Sequence, residues 1–207
     1  MLHVIMGWER ALPWLIMAFF SGYLIGSVPF GVLVARIFAL GDLRKIGSGN
    51  IGATNVLRTG SKTAAALVLA LDMAKGALAV VLFLSWGDLA AQLAGLGAVL
   101  GHCWPVWLKF RGGKGMATFI GVMLGLNFLA GLAVCASWLV AAALTRISSA
   151  GALACSALAP VWIWFIDGER AVIIVAILAV WIWIRHHENI GRLLRGEETK
   201  IRFGKST

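Results

Sequence analysis

The chain has 207 residues, of which 60% are hydrophobic and only 13% charged, with a formal net charge of +9 and a mean hydropathy of +0.90. Soluble domains run nearer about 45–50% apolar and about 25% charged, so this composition excludes an ordinary soluble globule and points to an all-α integral membrane protein. The basic residues lie at the ends of apolar runs, where they set orientation in a bilayer; that excludes a nucleic-acid binder and suits attraction of anionic substrates and lipids.

In chain order, residues 1–10 form a short lead with Glu9 and Arg10, with no signal-peptide cleavage site expected. A first span is expected over residues 12–38, broken by Gly22, Gly26 and the Ser27–Gly31 cluster, where Pro29 removes a backbone hydrogen bond. A polar loop occupies residues 41–62. The second span, residues 63–86, carries Asp72 and Lys75 three apart on one helical face, read as a buried structural ion pair. The third covers residues 89–108, and a glycine-rich basic loop runs from Lys109 to Gly115. Residues 116–145 are too long for one crossing of about twenty residues and split near Asn127 into a short fourth helix and a fifth. The Arg146–Ser149 loop leads to a sixth span over residues 150–166. A turn with Asp167 and Arg170 precedes a seventh over residues 171–184, and the tail from Arg185 is basic.

Seven alternating spans put Arg36, Arg44, Lys45, Arg58, Lys62, Lys109, Arg111, Lys114, Arg146, Arg185, Arg192, Arg195, Lys200, Arg202 and Lys205 on one side, against Arg10 and Arg170 on the other. By the positive-inside rule the N-terminus is periplasmic and the C-terminus cytoplasmic. Cys103, Cys135 and Cys155 lie in or beside apolar segments without a CxxC pair, and read as small buried hydrophobes.

Four segments carry the chemistry. The stretch Gly47 to Arg58 packs Gly47, Ser48, Gly49, Asn50, Thr54 and Asn55 ahead of an arginine. Glycines let backbone N–H groups face an anion, and Arg58 adds a planar cationic fork suited to phosphate. Gly47-x-Gly49-x-x-Gly52 matches a dinucleotide fingerprint only as a string, since no strand precedes it. The second segment is Gly101-His102-Cys103-Trp104-Pro105 followed by Arg111-Gly112-Gly113-Lys114-Gly115. Gly115 stands where a nucleotide loop needs Ser or Thr, but glycines beside a lysine at a helix start still suit a phosphate. His102 reads equally as an interfacial histidine or a substrate-facing one. The third is Ser148-Ser149 beside Arg146. The fourth is Arg185 to Arg192, where His186 and Asn189 share a helical face. Adjacent His186 and His187 point apart and make no metal site. Each segment has a bland alternative as a polar loop or a basic helix end. Together they read as one pocket for paired anions, assembled on one membrane face.

These segments resemble the signature blocks of the bacterial acyl-phosphate-dependent glycerol-3-phosphate acyltransferases of the PlsY type. The likeness covers nearly the whole chain: Ser27-x-Pro29-x-Gly31, Gly47 to Arg58, Asp72-x-x-Lys75-Gly76, Gly101-His102-x-x-Pro105, Phe110 to Thr118, and His186 to Glu198. Arg111 stands where lysine is usual, and the Arg146–Ser149 loop is shortened, with Ser149 taken as the equivalent serine. The resemblance implies a single seven-helix transmembrane domain over residues 1–207, in the bacterial cytoplasmic membrane, with its site on the cytoplasmic face. It implies transfer of an acyl group from acyl phosphate to the sn-1 hydroxyl of glycerol 3-phosphate by a monomer, without cofactor or metal. His186, Asn189, Lys114 and Ser48 are then the expected catalytic residues. Arg58, Ser149, Gly47, Gly49, Asn50, Thr54, Asn55, Gly112 and Gly113 are expected to bind substrate. No histidine has Asp five residues on, since 107 is Trp and 191 is Gly, so the His-Asp base of the other glycerol-phosphate acyltransferase class is absent. A transporter for a phosphorylated anion is the rival class; one-sided donors and the lack of an internal repeat argue against it.

Overall fold

The computed structural model describes residues 7–201, and among them every regular element is helical. Ten α-helices follow in order: α1 Trp8–Gly26, α2 Phe30–Ile37, α3 Ala53–Leu57, α4 Lys62–Val81, α5 Asp88–Cys103, α6 Met116–Leu126, α7 Phe128–Thr145, α8 Ser148–Asp167, α9 Val172–Arg185 and α10 His187–Leu194. The chain forms two compact units, Met1–Gly131 and Leu132–Thr207, with the boundary inside α7.

Five stretches are long and apolar enough to cross a membrane: Glu9–Ile37, Lys62–Trp86, Asp88–Leu108, Phe128–Thr145 and Ser148–Asp167. The pair Val172–Arg185 and His187–Leu194, bent by 61°, makes a sixth if counted as one span. Every apolar run read from the sequence is helical, but α6 is shorter than the stretches long enough to cross by length and composition. Its 11 residues rise about 16 Å at 1.5 Å each, about half of a hydrocarbon core. The break after it falls at Asn127, as the sequence reading has it: φ −150° and ψ 118° are extended, and Asn127 Oδ1 accepts the Ala130 N–H at 3.0 Å.

In the first unit, α1 differs from expectation. It runs unbroken through Gly22 and Gly26. Both glycines are packing sites: a Cβ at either would overlap the backbone of Ala94 or Ala98 in α5. In return, a Cβ at Gly97 or Gly101 would overlap the backbone around Phe19 or Tyr23. Small residues four apart let two helices close to backbone contact, which lipid alone does not drive. Gly76 of α4 and Gly121 of α6 do the same, against the backbones of Thr118 and Met73. The true break lies at Ser27–Pro29, where Pro29 lacks an N–H and α2 restarts at Phe30. Within α4, Asp72 and Lys75 form the expected buried ion pair at 2.6 Å.

In the second unit α8 packs on α9, and Trp162 Nε1 of α8 donates to Ser137 Oγ of α7 at 2.9 Å. Outward positions such as Leu144, Phe165 and Ile173 are exposed and apolar, as lipid contact requires. All three cysteines are free thiols; Cys103 and Cys155 are buried.

Candidate active site

The loop between α2 and α4 is built around Asn55 of α3, which is buried. Its Nδ2 donates to the carbonyls of Leu43 at 2.8 Å and Asn50 at 2.7 Å, and its Oδ1 accepts the Ser48 N–H at 3.2 Å. The Gly49 N–H donates to the Ile46 carbonyl at 2.9 Å. The amides of Ser48 and Gly49, offered to a phosphate by the sequence reading, therefore close the loop on itself. Gly47, at φ 53°, lies under the Arg58 side chain: a Cβ there would come within 2.9 Å of Arg58 Nη1. Thr54 and Arg58 are exposed, and Ser48 and Asn50 half-buried. Asn55→Ala removes three hydrogen bonds that hold the loop closed, for a cost of about 2–3 kcal/mol. A lowered melting temperature checks this, and an unchanged one would contradict the role given to Asn55.

The Lys109–Gly115 loop caps α5. The N–H groups of Gly112 and Gly113 donate to the carbonyls of Cys103 and His102, both at 3.1 Å. A Cβ at Gly113 would strike His102 Nε2, and one at Gly112 the His102 carbonyl. These two glycines thus serve close approach, and their amides are already occupied. Lys114, half-buried, directly precedes Gly115, the N-cap of α6, where first-turn N–H groups carry partial positive charge. Arg44 Nη2 reaches the Arg111 carbonyl at 3.5 Å. A cavity of about 490 Å³ is lined by Leu43, Ile51 and Leu108 together with Arg36 and Arg44. Both loops therefore emerge at the same end of the first unit. His102, left open between two roles by the sequence, is buried and turned inward.

In the second unit, Arg146 takes a left-handed φ of 61° and α8 starts at Ser148, two residues before the start read from sequence. Ser149 is therefore a buried first-turn residue. His186 sits in the bend between α9 and α10. Its Nδ1 lies 2.7 Å from the Ile182 carbonyl. A carbonyl only accepts, so Nδ1 carries the hydrogen and Nε2 is the acceptor of the neutral ring. His187 is exposed, so the two rings do point apart.

Glu198 enters the sequence reading only as the end of a signature block, with no role in the site. Its Oε1 accepts from Ser149 Oγ at 2.8 Å and Asn189 Nδ2 at 2.6 Å, and its Oε2 from Arg192 Nε at 2.6 Å. The tail is fastened again by the Ile201 N–H on the Arg146 carbonyl at 2.6 Å. Burial alone raises a carboxyl, but the bonds from Arg192, Asn189 and Ser149 and the Arg192 charge outweigh it and hold Glu198 below the ordinary 4.5. A depressed pKa stabilises the fold fully above pH 4.5, and that contribution is lost as pH falls through the lowered value. Tail ordering should therefore persist at pH 5 and give way only on stronger acidification, as read by amide exchange over residues 195–201.

The expected site residues thus fall into two clusters. One holds Gly47, Ser48, Gly49, Asn50, Thr54, Asn55 and Arg58 beside the loop of Gly112, Gly113 and Lys114. The other holds Ser149, His186 and Asn189. Among known proteins, the glycerol-3-phosphate acyltransferase family model matches residues 16–196. The chain belongs to that family. A glycerol-3-phosphate acyltransferase of Jannaschia sp. is 56% identical over 180 residues, covering 86% of this chain and 89% of that protein. One of Ruegeria sp. is 56% identical over 194 residues, covering 93% and 96%. The crystal structure of PlsY (YgiH), an integral membrane glycerol 3-phosphate acyltransferase, in its glycerol 3-phosphate form has a TM-score of 0.84 at 35% identity, covering 93% of this chain and 96% of that one. Its lysophosphatidic acid form gives 0.80 at 33% identity. With its apolar helices, this family member is a multi-pass integral membrane protein.

Proposed function

We propose that this chain transfers a fatty acyl group from acyl phosphate to the sn-1 hydroxyl of glycerol 3-phosphate, giving lysophosphatidic acid and inorganic phosphate. The observation that carries the reading is the pairing of the Gly47–Arg58 loop, with Arg58, and the Lys109–Gly115 loop, with Lys114, at one end of the first unit. Solved relatives named for a glycerol 3-phosphate form and a lysophosphatidic acid form support the substrate and the product.

Acyl phosphate is a mixed anhydride, already activated, with phosphate as its leaving group. The protein has to hold two mutually repelling anions and stabilise a tetrahedral oxyanion. Arg58 and Lys114 neutralise the phosphates. Ser48, Asn50 and Thr54 position them, on a loop shaped by Gly47, Gly49 and Asn55. Within the second unit, Ser149, His186 and Asn189 are the residues suited to a hydroxyl and its phosphate, with His186 Nε2 as the acceptor. The hydroxyl oxygen bonds to the acyl carbon, the bond from that carbon to the phosphate oxygen breaks, and the proton ends on inorganic phosphate. No acyl-enzyme is needed. The apolar wall of the 490 Å³ cavity beside Arg36 and Arg44 suits an acyl chain with an anionic head.

The whole chain acts as one monomeric domain of the bacterial cytoplasmic membrane. In this reading it crosses seven times, with the short α6 and the bent α9–α10 pair each counted as one passage, a periplasmic N-terminus and a cytoplasmic C-terminus; the charge asymmetry supports this, although Arg202 and Lys205 lie outside the described residues. A C-terminal reporter active in the periplasm would overturn the orientation. The function is tested by mass spectrometry of products from purified protein given glycerol 3-phosphate with acyl phosphate, and with acyl-CoA in parallel. Lysophosphatidic acid from acyl phosphate alone is expected. Product from acyl-CoA only would reverse the donor, and phosphate uptake into vesicles without acylation would favour transport.

A further inference from the structure

Asp72, Lys75 and His102 are all buried in the first unit and take no part in the reaction drawn above. Lys75 Nζ lies 2.6 Å from Asp72 Oδ1 and donates to the Val28 carbonyl at 2.9 Å. It also stands 5.6 Å from the centroid of the Phe30 ring. Val28 belongs to the break between α1 and α2; its carbonyl accepts the Phe30 N–H at 3.1 Å and also the Lys75 ammonium, which ties the break to α4. In the same break Ser27 Oγ accepts from Trp107 Nε1 at 2.8 Å, fastening the segment that leads into the Lys109–Gly115 loop. Beyond the break, α2 backs the other loop: a Cβ at Gly31 would overlap the Ile51 carbonyl. On the opposite side, Asp72 Oδ1 is 3.5 Å from His102 Nδ1. The Nε2 edge of that ring abuts Gly113, and the His102 carbonyl accepts the Gly113 N–H.

We propose that Asp72, Lys75 and His102 act together as positioning residues that fix both loops, the Gly47–Arg58 loop through Val28 and α2, and the Lys109–Gly115 loop through His102 and Gly113. An ion pair buried this deeply is costly to desolvate, and a neutral pair of equal size commonly packs as well. Stability alone therefore gives little reason for charges here. What a neutral pair lacks is the ammonium donor to the Val28 carbonyl and the charged partner for His102. The kinetic part of this inference rests on the acyl-transfer reading; the structural part does not.

The test uses the full-length protein in lipid, with amide exchange over residues 47–58 and 109–115, melting temperature, and kcat and KM for glycerol 3-phosphate. Asp72→Asn alone lowers the melting temperature, because the Lys75 ammonium stays buried without its counter-charge. The pair Asp72→Asn with Lys75→Met, neutral and close in size, regains it. In that double variant exchange in both loops remains about tenfold faster than in the wild type and KM rises about tenfold, while α1 and α5 exchange as before. His102→Gln speeds exchange over 109–115 only. If loop exchange and KM return to wild-type values together with the melting temperature, the inference is overturned and the pair is structural only. If the double variant does not fold, His102→Gln decides: unchanged exchange over 109–115, or equal acceleration throughout the helices, overturns the inference. A wild-type protein that makes no lysophosphatidic acid, with loops that respond as stated, overturns the function proposed above and leaves the coupling intact.

Discussion

Lys114→Ala and Arg58→Ala each reduce turnover by at least about a hundredfold, while the melting temperature stays near that of the wild type. The size follows from what the loops leave for the side chains to do. The N–H groups of Ser48, Gly49, Gly112 and Gly113 all donate within the protein. Neutralising two phosphates then falls chiefly on the cations, and removing one preorganised donor at a developing charge typically costs about 10²–10³ in rate. Stability changes little because Arg58 is exposed and Lys114 half-buried, and substitutions away from the core mostly stay within about 0.5 kcal/mol. Arg58→Lys should recover only part of the rate, since an ammonium keeps the charge and loses the two-pronged geometry. Phosphate release and a thermal melt on the same samples separate the two effects. Near-wild-type turnover in either alanine variant would remove that residue from the site.

The extent of the helices was legible because apolar runs bounded by charge leave few alternatives in a membrane. The break at Asn127 was legible for the same reason: thirty apolar residues exceed one crossing. Gly22 and Gly26 misled, because a glycine that bends a helix and one that admits a neighbour's backbone look alike in sequence; only Ala94 and Ala98 across the interface decide between them. The loops failed in a related way. Glycine advertises an available N–H, but whether Gly112 and Gly113 turn theirs outward or back onto α5 depends on where Cys103 and His102 end their helix. Asn55 belonged to a list of polar donors, and its burial, which turns it into the post of the loop, is a tertiary property. Glu198 was hidden by its neighbour. Nothing in the order of two adjacent glutamates in a basic tail says that Glu197 pairs with Arg195 at the surface while Glu198 turns inward to three donors.

Glu198→Ala should therefore do more than remove one surface charge. The carboxylate side chain is only 6% exposed, so its bonds to Ser149, Asn189 and Arg192 are poorly replaced by water. Losing it leaves Arg192 without its partner and frees the tail from α8 and α10, at a cost of about 3 kcal/mol. The chemistry suffers with the fold. Ser149 has one hydroxyl hydrogen, and it is given to Glu198; a phosphate gains it only by rotation of that hydroxyl, so the carboxylate sets the energy of the exchange. Asn189 is oriented by the same oxygen. Glu198→Gln provides the contrast, because its carbonyl oxygen still accepts from Ser149 and Asn189 while its amide turns a donor toward Arg192. The glutamine variant should keep more turnover than the alanine one and melt between it and the wild type. An alanine variant with wild-type melting temperature, turnover and tail exchange would mean that Ser149 and Asn189 hold their places without Glu198.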